Sequence, residues 1–381
     1  MAKKKKKKKI EYFDYGLLAV LICLICFGLV MLYSSSAYSA LVKFNDSRYY
    51  FKRQIFFCVI GFAAMFLTSR FDYHRYVKLA RIGFYLSIFM LLLVQTPLGI
   101  DVNGAKRWIR LPFNMSFQPS ELVKIAVILY IPVLIIEMGK EARRLKGSIQ
   151  LFAWGAFPAG CVYLLTDNLS TAIIILGITC FLIFVQHPKT APFIGILTAA
   201  AFGIGIFLFF VAGTMTTSSS FRLRRIIAWI HPEEYATSES YQTLQSLYAI
   251  GSGGFLGKGL GNSAQKMLIP EVQNDMILSV ICEELGVLGA IVVLGLFGLL
   301  LYRLMFIARN APDLYGSLVV TGIFAHIALQ VMLNVAVVTN VFPNTGITLP
   351  FISYGGTSLI LLLAEMGIAF RVSRSIPLEN L

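Results

Sequence analysis

The chain alternates between long apolar runs and short polar connections over nearly its whole length. A run of about 20 apolar residues is the length that a helix needs to cross the hydrocarbon core of a bilayer. Candidate spans lie near residues 15–34, 54–69, 80–97, 121–138, 148–165, 169–186, 191–212, 276–302, 315–340 and 356–372. The pattern therefore predicts an all-α polytopic membrane protein with about ten transmembrane helices.

Polar segments set the predicted domain organisation. Residues 1–14 form a basic tail, residues 15–372 a single ten-helix membrane domain, and residues 373–381 a short C-terminal tail. A long polar loop, residues 213–275, separates helices 7 and 8. Ten spans return the chain to its starting side, and lysine-rich flanks favour the cytoplasm. Both termini are therefore expected in the cytoplasm and the long loop outside the cell.

Composition supports an integral membrane protein, because 57% of the 381 residues are hydrophobic and only 14% are charged. The six cysteines show neither metal-ligand spacing nor a disulfide framework, which makes redox chemistry an unlikely function and packing the expected role. The apolar run after the lysine tail is followed by no small-residue cleavage site, so we interpret it as a retained first span.

Positive charge is the first functional signal, since the outer loops carry more of it than the topology alone favours. Cations on an outer face can balance an anionic ligand or anchor lipid head groups. Head-group anchoring is the favoured interpretation for the group after the first span. The two later groups lie beside glycines and acidic residues and are better candidates for ligand binding. The outer cations are Lys43, Arg48, Lys52 and Arg53; Lys106, Arg107 and Arg110; and, in the long loop, Arg222, Arg224, Arg225, Lys258 and Lys266.

Ionisable residues within spans are costly and mark candidate functional positions. Glu121 and Lys124 lie at i, i+3 at the start of span 4, after Ser120. The alternative is a Ser120 N-cap with a lysine that snorkels outward, but Lys124 lies a full turn into the lipid.

Asp275 is equally open to interpretation as an N-cap or a functional acid. Glu283 and Glu284 lie two turns further on and are harder to explain structurally. His326 and Glu365 are interpreted as interhelical contacts.

The glycine-dense segment AIGSGGFLGKGLG could let backbone N–H groups approach a phosphate. It lacks the Walker spacing, and no strand precedes it. The segment is therefore only a weak indication of a nucleotide site.

Four ordered segments resemble those of the SEDS family (shape, elongation, division and sporulation). They are NGAKRWIRLPFNMSFQPSELVK (103–124), SYQTLQSLYAIGSGGFLGKGLGNSAQK (240–266), LIPEVQNDMILSVICEELGVLG (268–289) and TGITLPFISYGGTS (345–358). The similarity covers essentially the whole chain. GLVMLYSSS (28–36) and GLGNSAQK (259–266) resemble the division and sporulation branch, FtsW and SpoVE, more than the elongation branch, RodA.

The resemblance implies a peptidoglycan glycosyltransferase of the bacterial cytoplasmic membrane that polymerises lipid II at the outer face. Implied partners are lipid II, a polyprenyl-diphosphate glycan, a class B penicillin-binding protein and membrane lipids, with no nucleic acid. Asp275 matches the family's essential aspartate. Substrate- or diphosphate-binding positions carried over by motif are Arg107, Glu121, Lys124, Lys266, Glu271 and Glu284.

The expected chemistry follows from the reactants. A carboxylate should take the proton of the attacking sugar hydroxyl, and we assign this to Asp275. Fixed cations should stabilise the leaving diphosphate: Arg107, Lys124 and Lys266, with Arg222, Arg224 or Arg225 as further candidates. A single displacement inverts the anomeric centre and is favoured. No cofactor is certain. A divalent cation, Mg²⁺ or Mn²⁺, remains a candidate, although no metal-ligand spacing identifies its site.

Several residues depart from the family pattern and put loop geometry and metal binding in doubt more than the fold. An aspartate is expected at Asn168 and at His231, a glycine at Ser170 and at Ser240, and a histidine at Gln273. Loss of two carboxylates would weaken a cation site that used them.

Two other functions remain open at this stage. Charged residues in spans and basic outer clusters also suit a transporter that flips a lipid-linked precursor across the bilayer. A scaffold without chemistry of its own is the third alternative. Neither the growth process served nor the identity of the partner transpeptidase follows from the sequence.

Overall fold

The computed structural model describes residues 12–102, 105–111, 115–195, 198–199, 202–203, 205–206, 221–238 and 240–377. Its long helices are α1 (Tyr15–Phe44), α2 (Tyr49–Arg70), α3 (His74–Leu93), α4 (Pro119–Met138), α5 (Leu145–Thr166), α6 (Leu169–Gln186), α7 (Phe221–Ile230), α8 (Tyr241–Gly253), α9 (Ile277–Asn310), α10 (Leu314–Val338) and α11 (Thr357–Ser373). Short 3-10 helices occupy Gly139–Arg143 and Gln265–Met267.

Among the described residues, eight helices are long and apolar enough to cross a membrane: α1 to α6, α9 and α10. The predicted tenth span corresponds to α11, a shorter helix of 17 residues. Half of the predicted seventh span, 191–212, lies outside the described residues. The polytopic helical class predicted from the apolar runs is confirmed.

Helices α4 and α10 form the centre of the bundle. About two-thirds of the apolar window of each is buried, against about a fifth for α2 and α3, which expose most of their surface. Both central helices contact α6, and α4 also packs against α3 and α5. Polar side chains on α4 and α10 are therefore shielded from lipid by the surrounding helices.

Helix α1 is ten residues longer than the predicted span, which ended at residue 34. The extension begins in a run of serines whose hydroxyls donate to carbonyls one turn earlier. Ser36 Oγ donates to Leu32 O at 2.6 Å and Ser39 Oγ to Ser36 O at 3.1 Å. Because the hydroxyls are satisfied inside the helix, the polar run continues it rather than ending it.

A small antiparallel sheet follows α3, in the polar connection between the third and fourth predicted spans. Its strands are β1 (Gly99–Val102), β2 (Ala105–Leu111) and β3 (Met115–Phe117), in the order β1-β2-β3. Ile109 is buried, while the neighbouring Arg110 is exposed. This alternation is typical of a half-buried strand. Within the described part of the chain, the fold is all-α apart from this sheet.

The segment before α9 is also more structured than a loop. Helices α7 and α8 form within it, and α8 packs along α9. Helix α9 itself changes direction at Gly286, whose φ of 68° and ψ of −166° are not helical. This bend separates a short first segment of α9 from the longer part that spans the membrane.

Candidate functional site

Asp275 lies just before α9 and is only 8% exposed. Its carboxylate does not cap the helix, because Met276 occupies the N-cap position and no side chain accepts a capping hydrogen bond there. The Oδ1 atom instead accepts a hydrogen bond from Gln242 Nε2 at 3.1 Å. The structure therefore excludes the N-cap interpretation and places the acid against the first turn of α8.

Burial raises the pKa of the Asp275 carboxyl to about 6, because the charged form loses hydration. The hydrogen bond from Gln242 and the charge of Arg225 act in the opposite direction, whereas nearby Glu271 adds to the increase. A carboxyl that titrates close to neutral pH is suited to accept a proton.

A polar ladder on α10 joins Asp275 to the interior of the bundle. Asn334 Nδ2 donates to Asp275 O at 2.8 Å and to Ile347 O at 2.7 Å. One turn earlier, Gln330 Nε2 donates to Thr348 O at 3.0 Å. The loop between α10 and α11 is thereby fixed beside the acid.

Lys124 reaches the other end of this ladder. Its Nζ atom lies 2.9 Å from Glu121 Oε1 and donates to Gln330 Oε1 at 3.4 Å. Lys124 is buried, so it does not snorkel to the membrane surface. Ser120 does not cap α4 either: the N-cap is Gln118, and the buried Ser120 hydroxyl has no hydrogen-bond partner.

Two arginines, Arg107 and Arg225, belong to the electrostatic surroundings of the acid. Arg107, on β2, donates to the carbonyls of Thr166 and Asp167 at the C-terminal end of α5, at 3.2 and 2.9 Å. Desolvation lowers the pKa of Arg107, and the charge of Arg225 lowers it further. Arg225 therefore acts electrostatically on both Arg107 and Asp275. The side chains of Arg222 and Arg224, the further candidates, lie outside what the structure describes.

Lys266 and Glu284 belong to a separate network. Lys266 Nζ lies 3.1 Å from Glu284 Oε1 and donates to Gly261 O at 2.6 Å. Both Glu284 oxygens accept from Ser34 Oγ of α1 at 2.7 Å. The structure thus uses Lys266 to neutralise a fully buried carboxylate, and it does not bring this lysine to Asp275.

Glu271 is a surface residue four positions before Asp275. Its Oε1 atom forms an ion pair with Lys43 Nζ at 2.7 Å, and its Oε2 atom accepts from Asn274 Nδ2 at 2.9 Å. The residue adopts a positive φ of 50°. Its place in the turn fixes the approach of the chain to Asp275, and its charge raises the pKa of that acid.

The glycine segment does not form a phosphate cradle. The N–H groups of Lys258 and Gly259 donate to the carbonyls of Glu283 and Glu284, each at 2.9 Å. These donors bind protein carbonyls on α9 and are not directed at an anion. The weak nucleotide-site interpretation is therefore wrong at this position.

A polar cavity of about 410 Å³ opens beside Gln242. Trp229, Asn340 and Asn344 contribute to its wall, together with Arg225. Asn344 Nδ2 donates to Gln242 Oε1 at 2.9 Å, so a chain of amides leads from the cavity to Asp275. Sequence reasoning singled out neither Gln242 and Asn344 nor the amides of α10. For Gln330 and Asn334, the i, i+4 spacing of two amides in an apolar span was a visible signal.

Residues that depart from the family pattern have local structural roles. Asn168 caps α6 by accepting from Thr171 N at 3.1 Å, as an aspartate would. Ser170 Oγ donates to Thr345 O at 2.9 Å, and Ser240 Oγ donates to Ala228 O at 2.7 Å. His231 is exposed after α7, and Gln273 O accepts from Tyr354 N at 2.9 Å. These contacts tie together the loops around the acid.

The residues do not by themselves fit a divalent metal. Hard cations of this kind take six or more oxygen ligands. Within the described part of the chain, no group of three or more His, Cys, Asp or Glu side chains is placed to hold a metal. Of the two carboxylates near the site, Glu271 is already paired with Lys43. We derive no step through a metal.

The fold and this site define a polytopic membrane protein with a buried acid and cations beside structured loops between its helices. The chain belongs to the FtsW, RodA and SpoVE family of cell cycle proteins, whose family model matches residues 15–377.

Similar proteins extend over nearly the whole chain. Stage V sporulation protein E of Bacillus subtilis is 38% identical and covers 95% of this chain and 97% of its own. A probable peptidoglycan glycosyltransferase FtsW of Trichlorobacter lovleyi is 36% identical, and the match covers 99% of this chain and 97% of the relative's own length.

Solved structures show the same fold. A structure described as structural coordination of polymerization and crosslinking by a peptidoglycan synthase complex is 26% identical, with a TM-score of 0.78 over 95% of this chain and 98% of that one. The rod shape determining protein RodA of Thermus thermophilus is 27% identical, with a TM-score of 0.67. The match covers 95% of this chain and 97% of that one.

Proposed function

We propose that this protein polymerises lipid II at the outer face of the bacterial cytoplasmic membrane. It is a membrane-embedded peptidoglycan glycosyltransferase, an activity supported by family membership and by full-length relatives of that name. The observation that carries the mechanism is the buried Asp275 carboxyl with a pKa of about 6, within the electrostatic reach of Arg225.

In the proposed step, Asp275 accepts the proton of the acceptor sugar hydroxyl. The hydroxyl oxygen forms a bond to the anomeric carbon of the donor as the bond from that carbon to the diphosphate oxygen breaks. The diphosphate leaves with the bonding electron pair, and a single displacement inverts the anomeric centre.

Arg225 and Arg107 are the cations suited to the leaving diphosphate, because their charges act on one another and the charge of Arg225 also acts on Asp275. An anion between them would relieve that repulsion and gain charge-assisted hydrogen bonds. Lys124 is assigned a binding role from within the bundle, through its contact with Glu121 and Gln330.

Lys266 and Glu284 are assigned a positioning role in place of diphosphate binding. Their ion pair holds the glycine segment against α9 and α1. A divalent cation stays a separate proposal, tested by the chelator in the experiment below.

A class B penicillin-binding protein is the proposed partner. A peptidoglycan polymer gains strength only when it is crosslinked, and the similar structure described above joins polymerization to crosslinking in one complex.

The decisive experiment supplies purified protein with lipid II, with and without a partner and a chelator. Asp275→Asn keeps the size and the Gln242 contact of the side chain but removes the proton acceptor, and we expect polymer formation to fall at least 100-fold. Unchanged polymer formation in Asp275→Asn would refute the role of this acid. Translocation of lipid II without any polymer in the wild-type protein would favour a transporter.

A further inference from the structure

The glycine segment between α8 and the second 3-10 helix projects three apolar side chains from its tip. Phe255 is 63% exposed, Leu256 is 75% exposed and Leu260 is 54% exposed. We call these three residues the apolar tip. Such side chains grouped on a surface mark an interaction site more often than chance exposure does.

The apolar tip is held rigidly against α9. Val287 N donates to Gly254 O at 3.1 Å and Leu288 N to Phe255 O at 3.3 Å. These bonds use the backbone groups that become available where α9 bends at Gly286. A Cβ atom on Gly286 would lie 2.4 Å from Phe255 O, so the two chain segments are in direct backbone contact.

The single lysine in this segment does not make the tip polar. Lys258 Nζ lies 2.7 Å from Glu283 Oε1 and donates to Ser252 Oγ at 2.9 Å. Glu283 is fully buried and also accepts from the N–H groups of Ala264 and Gln265, each at 3.2 Å. The lysine charge is thus turned inward and neutralised, while the apolar side chains on either side of it face outward.

The apolar tip continues an exposed apolar face of α9. Val287, Leu288 and Ile291 are exposed on α9, which is one of the membrane-spanning helices. The backbone contacts of Gly254 and Phe255 place the tip directly beside the first two of these residues.

The position of the apolar tip along the membrane normal follows from the length of α9. Arg303 is the first charged residue of α9 after Glu284 and pairs with Asp14 at 2.9 Å, so we take it to mark the opposite surface of the membrane. Gly286 precedes Arg303 by 17 residues, or about 26 Å at 1.5 Å per residue. The hydrocarbon core is about 30 Å thick. The tip therefore lies at the level where the outer leaflet passes from hydrocarbon to head groups.

We infer that the apolar tip inserts into the outer leaflet and anchors α8 to the membrane surface. Its partner is the acyl-chain region of the bilayer. Because Gln242 in the first turn of α8 contacts Asp275, this anchor fixes the position of a neighbour of the acid. The inference requires only that the protein spans the membrane and is independent of the reaction it catalyses.

Spin labelling in lipid nanodiscs tests the inference. In a background with the six native cysteines replaced, single cysteines are introduced by Leu256→Cys, Ile291→Cys and Glu233→Cys and labelled with a nitroxide. Ile291 is the lipid-facing control, and Glu233, exposed after α7, is the aqueous control. We expect the label at 256 to be relaxed more by oxygen than by a water-soluble nickel chelate, as at position 291.

A second measurement avoids the loss of the cysteines. Leu256→Trp and Glu233→Trp proteins are placed in nanodiscs whose lipids carry bromine on the acyl chains. The emission added by the new tryptophan should be quenched at least twofold at position 256 and unchanged at position 233. Labels and tryptophans at 256 that behave as those at 233 would overturn the inference and leave the tip as a surface for a protein partner.

Discussion

Asp275 combines burial with a hydrogen bond that favours its charged form, and the balance between them predicts a pH dependence. Only the deprotonated carboxylate can accept the hydroxyl proton, so activity should be present above the pKa of about 6 and lost as the pH falls through it. The acid limb of kcat/KM for lipid II polymerisation measures this pKa in the free enzyme.

Gln242→Leu provides a matched control, because Gln242 donates to Oδ1 and stabilises the anion. Without that donor the acid limb should move to higher pH, while activity on the alkaline plateau changes less. An acid limb that stays at the same pH in this variant would show that another group controls the profile.

Lys124 and Glu121 form an ion pair in the interior of the bundle. Its contribution to stability can be separated from a contribution to substrate binding. Removing one partner leaves an uncompensated buried charge and costs about 3–5 kcal/mol. Lys124→Met and Glu121→Gln should therefore each lower thermal stability in detergent, and the double variant should recover much of the loss. If Lys124 also binds substrate, polymerisation stays low in the recovered double variant. Recovery of both stability and turnover would assign Lys124 a purely structural role.

At the scale of elements, the bend in α9 depends on a glycine. Gly286 has a φ of 68°, and a Cβ there would lie 2.4 Å from a backbone oxygen. Gly286→Ala should destabilise the protein by about 1–3 kcal/mol through backbone strain and should displace the apolar tip. Gly295→Ala, in the same helix with open space around it, is the control and should be neutral or slightly stabilising. Equal melting temperatures for the two variants would contradict this account.

Apolar periodicity predicted the helical elements well because crossing a bilayer demands a minimum length of apolar sequence, whatever the helix packs against. The same signal could not predict that α1 continues through Ser36 and Ser39, since those hydroxyls are satisfied by backbone carbonyls within the helix. It also missed the strand that carries Arg107, where a short alternation was obscured by charge. Elements outside the lipid depend on local contacts that composition does not report.

The individual acids and bases near the site were visible in the sequence, but their pairing was not. Lys124 and Glu121 share a helical face, so their contact followed from spacing. The partner of Lys266, Glu284, lies 18 positions further along the chain, beyond the turn that carries Asp275, and Glu271 pairs with Lys43 at the end of α1. Such long-range pairs are set by the tertiary fold, which explains why Lys266 was assigned to the diphosphate and is found in a structural ion pair.

For the whole molecule, contacts between α1 and α9 define its two sides. Asp14 at the start of α1 pairs with Arg303 near the end of α9, and Lys43 at the end of α1 pairs with Glu271 just before α9. The two helices are antiparallel. Ser170, at the start of α6, donates to Thr345 O in the loop between α10 and α11, and Asn334 links that loop to Asp275. Helix α6 therefore begins on the Lys43 side and ends on the Asp14 side. The chain must return across the membrane before Glu271, and the span predicted at 191–212 would supply that crossing.

The side that bears Asp14 is predicted to be cytoplasmic, because it also carries the lysine-rich tail and the cluster Lys140, Arg143 and Arg144 after α4. A membrane-impermeant maleimide applied to intact spheroplasts should therefore label a cysteine at Glu233→Cys and leave one at Lys140→Cys unmodified until the membrane is permeabilised. Both residues are exposed, so the two sites differ in sidedness and not in burial. Labelling of position 140 in intact spheroplasts would invert the topology and place the buried acid on the side where lipid-linked precursors are made, which is incompatible with polymerisation at the outer face.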